Sequence, residues 1–305
     1  MCIDPRFPVW MTNDKRLSPV TVQIYLANVT RALQWGVFGL DLANYIRTLP
    51  NRSPEWTNQY LSALRAYGQF LISVGLATEN PTLSARMVKV PERLPKPFEW
   101  DDIKLLFSTI ETAEQTPNVI QERFILESLY GSGLRQTELA NLTLGQCQPD
   151  SIRIIGKGNK ERQTIMTASQ WNVLGLHAIT TVGDERTREL VEAIDQSAAL
   201  RDLCKRKPDW PILWSNPTLP VMALRDSRRW ISRRCQFWFE RAGITVKNSP
   251  NPHRLRHSFG TQLLDGGSDI KTVQTLFGHK DIRTTSGYLK VTKNSYSRAR
   301  VAIGR

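Results

Sequence analysis

HRLRHSFGTQLL, residues 253–264, places two imidazoles and two guanidiniums in its first five positions. His253 and His257 are four residues apart, which puts both on one face of a helix. Leu255, Phe259 and Leu263 repeat at the same interval, so the segment reads as a helix with one buried stripe, ended by Gly266-Gly267. Two chemistries compete for such a cluster. A zinc-protease helix carries Glu directly after its first histidine, and here that position is Arg254. Arg256 adds a second cation beside any dication, and no acidic or cysteine third ligand stands nearby. The other chemistry is a phosphate trap. Planar guanidinium forks match the non-bridging oxygens of a phosphodiester, and imidazole can donate to the same oxygens or move a proton. A core role for one of the histidines fits beside either.

The flanking sequence is helical in the same way. SDIKTVQTLFG reads as a helix capped by Ser268 or Asp269 and stopped by Gly278, with His279 immediately after it. DIRTTSGYLKV follows; its Thr284, Thr285, Ser286 and Gly287 are poor helix formers, so Tyr288 rides on a weakly helical segment. Upstream, residues 222 to 243 form a basic amphipathic helix. Arg225, Arg229 and Arg233 share one stripe of it, and Ile231, Cys235, Trp238 and Ala242 another. Either that arginine stripe is an ordinary solvated face or it meets phosphates. Further upstream, YGSGLRQTELANL breaks at Gly131 and Gly133 and starts a helix near Leu134. SIRIIGKGNKERQTIM reads as a hairpin, with strands at 151–155 and 162–166 and two lysines, Lys157 and Lys160, at its tip. GKGNK lies between strands, not ahead of a helix, and the chain has no GxGxxG or GxxxxGK[ST] loop, which argues against a nucleotide cofactor.

The first hundred residues are a separate unit. Helices are expected at 18–35, 40–49 and 55–76, the first opened by Ser18-Pro19. VPERLPKPFEW then places Pro91, Pro95 and Pro97 within seven residues, which no helix tolerates. The chain therefore divides into a helical domain over 1–90, an extended linker over 91–98 and a second domain over 99–305. The fold class is mainly α with a small β-hairpin (α+β).

Composition narrows the partner. Lys and Arg number 41 against 28 Asp and Glu, a net charge of +13, in a chain of 305 residues. Residues 1–98 hold +5 of that and the remainder +8, so both halves favour an anionic partner. The charge is spread over two domains rather than gathered on one short helix, which favours nucleic acid over a membrane surface. No apolar run approaches the roughly 18 residues of a membrane span, and the opening MCIDPRFPVW does not read as a secretory signal. Cys2, Cys147, Cys204 and Cys235 are far apart and form no CxxC pair, as expected of a reduced, cytoplasmic protein without a zinc knuckle.

Phosphodiester chemistry needs a clamp, an acid and a nucleophile. Arg135, Arg256, His253 and His279 are candidates for the first, a hairpin lysine for the second, and Tyr288 for the third if surrounding cations favour its phenolate. Each also has an ordinary reading: Arg135 on a helix surface, His279 at a helix C-terminus, Tyr288 in the core. The order and spacing carry more weight. GLRQTEL, GKGNKER, HRLRHSFGTQLL and LFGHKDIRTTSGY, with 23 residues from Arg256 to His279 and 9 from His279 to Tyr288, resemble the tyrosine recombinase (phage integrase-like) family, above all the Xer-type recombinases. The likeness runs over residues 98–292, and residues 1–90 are similar in size and place to that family's core-binding domain.

The resemblance implies a two-domain, C-shaped DNA clamp and an enzyme that cuts and rejoins DNA site-specifically through a 3′-phosphotyrosyl intermediate and a Holliday junction. Arg135 and Arg256 would hold the scissile phosphate and Tyr288 would attack it. Lys157 would protonate the leaving oxygen, with Lys160 its rival and a DNA contact like Arg225, Arg229 and Arg233. His253 and His279 would bond the phosphate, Glu138 would orient an arginine from behind, and His257 would be structural. It implies no cofactor and no metal. Its partners would be double-stranded DNA recombination sites, with four copies on two sites or a second recombinase beside it, and accessory proteins, in the nucleoid. The 96 residues between Lys157 and His253 are long for an Xer-type chain, and DERTRELVEAIDQSAALRDLCKRKPDW there could be an inserted helical element. An integron-type integrase, a type IB topoisomerase and a catalytically silent DNA-binding protein are the alternatives. Tyr296 is a second tyrosine outside the family spacing.

Overall fold

In the computed structural model the described residues are 3–34, 52–91, 96–156, 161–213, 224–244, 252–279 and 281–289. The chain separates into two compact units, Met1–Arg93 and Leu94–Arg305. The helix expected at 40–49, Lys157, Lys160, Tyr296 and the C-terminal tail lie outside the described residues.

The first unit contains α1 (Phe7–Asn13), α2 (Pro19–Gln34) and α3 (Pro54–Ser73). Ser53 caps α3 by accepting from the Trp56 N–H, and Pro54 follows at the first helical position, where its missing N–H costs nothing. The apolar stripes meet in an aromatic core. Phe7 lies edge-on to Tyr67 with ring centroids 4.9 Å apart, and Tyr60, Leu64 and Phe70 are buried around them.

The second unit has α4 (Trp100–Glu111), α5 (Pro117–Gly131) and the short α6 (Gln136–Ala140), then a hairpin of β1 (Ser151–Ile155) and β2 (Glu161–Ile165). The strands pair antiparallel from Ser151 opposite Ile165 to Ile155 opposite Glu161, one residue earlier on the second strand than the sequence suggests. Then come α7 (Ala168–Val182), α8 (Glu185–Ala193), α9 (Gln196–Arg206), α10 (Leu224–Arg241), α11 (Pro252–Asp265), α12 (Ile270–Phe277) and α13 (Ile282–Leu289). The DERTREL stretch is helical, as expected. It forms α8 and α9, and α9 contributes the fully buried Leu200 and Leu203 to the main core.

That core joins Phe124, Leu129, Ile152, Leu174, Ile231, Trp238 and Leu255. A smaller cluster of Phe259, Leu264, Val273, Phe277 and Tyr288 holds α11, α12 and α13 together. The end of the proline-rich stretch is tied down onto α11. The Phe98 N–H donates to Ser258 Oγ at 2.8 Å, Arg254 Nε donates to the Lys96 carbonyl at 2.9 Å, and the Arg254 guanidinium lies 4.0 Å from the Phe98 ring centre. Among the described residues no helix is long and apolar enough to cross a membrane.

Candidate active site

Four pieces of chain bring the charged groups together. The first is the turn before α6. Gly133 adopts φ +60°, a left-handed conformation that glycine takes without a Cβ penalty, and the chain then leaves Arg135 as the N-cap of α6. Glu138, one turn on, reaches back. Its Oε2 accepts from the Arg135 N–H and its Oε1 from Arg135 Nη1, both at 2.7 Å.

The second is β2. Arg162 donates from Nη1 and Nη2 to the two Glu138 oxygens, at 3.1 and 2.9 Å, and from Nε to the Leu276 carbonyl at 3.0 Å. The third is α11. Arg256 is 4% exposed, donates to the Gly133 and Phe277 carbonyls, and approaches Glu138 Oε2 at 3.8 Å. One buried carboxylate thus faces three guanidiniums. Burial works to raise its pKa, but the charge of Arg162 and the hydrogen bond from the Arg135 backbone outweigh it and hold Glu138 below the usual carboxylate range.

The fourth is the α12–α13 corner. Asp269 caps α12 and Gly278 ends it in the left-handed region, φ +60°. A Cβ there would meet Arg162 Cδ at 2.6 Å, so this turn admits only glycine while Arg162 holds its place. The Phe277 ring carries three of the candidate groups. The Arg256 guanidinium lies 4.2 Å from its centre, the His279 ring 5.1 Å and the Tyr288 ring 5.5 Å, the last stacked. His279 Nδ1 shares a hydrogen bond of 2.9 Å with Thr285 Oγ1. Thr285 and its polar neighbours are helical after all. The burial of Thr285 and Tyr288 against α11 and α12 overrides their low propensity.

Tyr288 itself is 2% exposed, and its hydroxyl is 2.7 Å from His257 Nδ1. Its ring fits because residue 260 is glycine: a Cβ there would stand 3.1 Å from Tyr288 Cε1. From the sequence, Tyr288 qualified as nucleophile on the condition that surrounding cations favour its phenolate. In this structure burial dominates and pushes the phenol up to about 12, although Arg256 and Arg135 pull the other way. The histidines move down. Burial, then His253, Arg256 and Arg254, hold His257 at about 4, and burial, then Arg256, Arg135 and Arg162, hold His279 at about 4. His253 keeps one side open to solvent, but the protein around its ring, and then the charges of Arg256, Arg228 and Arg135, lower its pKa as well. Burial, then Arg135, brings Arg256 down to about 9, so it stays a cation at neutral pH.

These shifts set a pH dependence. His257 and His279 have folded pKa values below their ordinary 6.5, so between pH 6.5 and about 4 the unfolded chain binds more protons than the folded one. Glu138 adds stability above the ordinary carboxylate pKa that is lost at still lower pH. All three act in one direction. The urea midpoint is expected to fall steadily as pH drops from 6.5 to 4 with little change from 7 to 8; a midpoint flat over 4 to 6.5 contradicts the arrangement.

Arg135, Glu138, His253, Arg256, His279 and Tyr288 therefore converge. Lys157 and Lys160 lie outside the described residues. Of the α10 stripe, Arg229 and Arg233 are exposed and the Arg225 side chain is outside the described set. The apolar stripe is as expected, with Ile231, Cys235 and Trp238 buried. Arg234 turns inward to pair with Glu122, Nε to Oε1 at 2.6 Å. Sequence reasoning missed Arg162, Phe277 and Arg228. For Arg162 there was a signal: it shares a strand face with the buried Thr164, and an inward charge needs a carboxylate.

The sequence profile of the phage integrase family matches residues 97–295. Tyrosine recombinase XerC of Shewanella oneidensis is 30% identical over 315 residues, covering 97% of this chain and 93% of that protein. XerC of Proteus mirabilis is 30% identical over 289 residues, covering 90% and 84%. In fold, the chain is similar to the XerH site-specific recombinase solved on its palindromic difH substrate after cleavage, with a TM-score of 0.66, 16% identity, and coverage of 94% of this chain and 80% of that one. It is also similar to lambda integrase solved as a dimer on a COC′ core site, with a TM-score of 0.60, 16% identity, and coverage of 93% and 75%. The chain belongs to the phage integrase family, the tyrosine recombinases, enzymes that cut and rejoin DNA strands.

Proposed function

We propose that this site-specific recombinase uses the cluster around Glu138 and Phe277 to transfer a DNA strand to Tyr288. The observation that carries the reading is the placement of two guanidiniums, Arg135 and Arg256, and the Tyr288 ring within one network of contacts. A scissile phosphate between those guanidiniums is held by charge-assisted hydrogen bonds that strengthen as negative charge builds on its oxygens. His253 and His279 donate to the same oxygens as neutral imidazoles. Tyr288 Oη attacks phosphorus, a P–O(Tyr) bond forms, and the bond to the 5′ oxygen breaks as Lys157, or failing it Lys160, delivers a proton. The phosphodiester energy stays in the 3′-phosphotyrosyl bond, so rejoining needs no ATP, metal or other cofactor. Exposed Arg229 and Arg233, with Arg225, extend the basic surface along the duplex backbone, where contacts add affinity without reading sequence.

The unit 1–90 binds the same double-stranded DNA, in the nucleoid, and strand exchange takes four copies on two sites, or a second recombinase in place of two of them. The C-terminal tail docks on a neighbouring copy. Deleting residues 293–305 spares single-site binding and abolishes the four-copy complex. Recombination between two copies of a duplex from the DNA flanking the coding sequence, run in EDTA, tests the function: exchanged products support it, and tight binding with relaxation of supercoils but no exchange contradicts it.

Arg256→Met tests the clamp. Losing one preorganised donor to a developing oxyanion slows reactions by about 100- to 1,000-fold. Glu138 keeps Arg135 and Arg162 as partners in this variant, but the Gly133 and Phe277 carbonyls lose the Arg256 donors, which costs about 1–3 kcal/mol for each acceptor left unsatisfied. Single-turnover formation of the covalent complex, measured well below the lowered thermal midpoint, is therefore expected to slow by about 100- to 1,000-fold; a loss under threefold contradicts the role.

A further inference from the structure

Tyr288 is buried, and its hydroxyl meets an imidazole that the family likeness leaves as structural. The cations near this phenol do not ionise it in the free protein, so an attack by Oη needs a group to take the proton. A general base must stand within about 2.6–3.2 Å of the proton's oxygen, and His257 Nδ1 is at 2.7 Å. We propose that His257 is the proton acceptor for Tyr288. This rests on the reading of Tyr288 as nucleophile.

The step balances. The Oη–H proton moves to Nδ1 as the P–O(Tyr) bond forms, and the 5′ oxygen leaves with a proton from the hairpin lysine. In rejoining, the 5′ hydroxyl attacks and gives its proton back to that lysine, and the imidazolium returns its own proton to Oη.

The surroundings also explain why the pair is idle without DNA. His253, Arg254 and Arg256 on α11 act on His257 from its own helix; Tyr288 on α13 and His279 after α12 face it from the others. Those positive charges oppose an imidazolium. A phosphodiester between Arg135 and Arg256 brings a negative charge to the same place and offsets them, so the base strengthens when substrate is seated. The two rings are tilted, 52° between planes with centroids 5.5 Å apart, so the imidazole meets the phenol through its hydroxyl and not by stacking on its face.

The test uses the full chain on a nicked duplex that traps the wild-type covalent complex. His257→Asn can hold the hydroxyl but cannot accept its proton at neutral pH. Its single-turnover rate at pH 7 is expected to fall about 100- to 10,000-fold, the usual share of general base catalysis, with DNA affinity within about twofold. The rate should climb with pH between 7 and 9 more steeply than in the wild type, as hydroxide takes over, and added imidazole should restore part of it to His257→Gly. A rate within threefold of wild type overturns the proposal, as does a slow variant that neither pH nor imidazole restores. Tyr288→Phe run alongside separates the two readings: a covalent band from that variant removes the nucleophile assignment, whereas a silent Tyr288→Phe with a normal His257→Asn removes only the base.

Discussion

Tyr288→Phe is expected to leave a folded, DNA-binding protein that forms no covalent complex. The ring's contacts are those of phenylalanine: it stacks on Phe277 and passes over Gly260. Only the hydroxyl is lost, and with it one hydrogen bond to His257, worth about 0.5–1.5 kcal/mol. Arg135, Glu138, Arg162 and Arg256 make their hydrogen bonds to one another and to the Gly133, Leu276 and Phe277 carbonyls, not to that hydroxyl, so their arrangement is expected to persist. The covalent product, in contrast, has no oxygen to form on. Covalent yield and stability should thus part completely in one variant. Gel-shift affinity, the thermal midpoint and a denaturing gel of the trapped duplex measure all three. A variant that loses affinity or melts far below the wild type contradicts the independent clamp.

Glu138→Ala is expected to have the largest effect on stability. Glu138 accepts four hydrogen bonds, from the Arg135 backbone and the side chains of Arg135 and Arg162, and it is the carboxylate nearest the buried Arg256. Its removal leaves Arg162 and Arg256 with little access to water and no counter-charge. Breaking a buried ion pair from one side costs about 3–5 kcal/mol. Glu138→Gln keeps the shape and two acceptor lone pairs but not the charge, and should fall between. The urea midpoint at constant slope reads the loss. A change below about 1 kcal/mol, the scale of exposed pairs, would mean that the guanidiniums are solvated and the carboxylate is ornamental.

How much of this was visible in the sequence depends on which force holds each part. Periodicity and caps are local, so α2, α3 and α12 could be read to within a few residues, with Ser268 or Asp269 expected at one end of α12, where Asp269 caps, and Gly278 at the other. The segment before Tyr288 was misjudged because propensity is local too, whereas its helix is fixed by packing of Thr285 and Tyr288. The same distinction applies to the site. Motif spacing brought out Arg135, Glu138, His253, Arg256, His279 and Tyr288, which carry resemblance as a set. Arg162 and Phe277 act through partners on other elements: the Leu276 carbonyl, 114 residues on, for the first, and for the second, with its carbonyl and ring, Arg256, 21 residues back. No spacing rule reveals such a partnership. His257 shows it most plainly: read as structural from its position, it meets the tyrosine oxygen only because α11 and α13 pack against each other.

The most direct measurement is the identity of the residue bonded to DNA. The wild-type protein is trapped on a nicked duplex in EDTA, digested, and its nucleotide-bearing peptide sequenced by mass spectrometry. The predicted result is a single adduct on Tyr288, joined to a 3′ phosphate and formed without metal. An adduct on Tyr296 or on a serine, or a bond that forms only when a divalent cation is restored, would contradict the account.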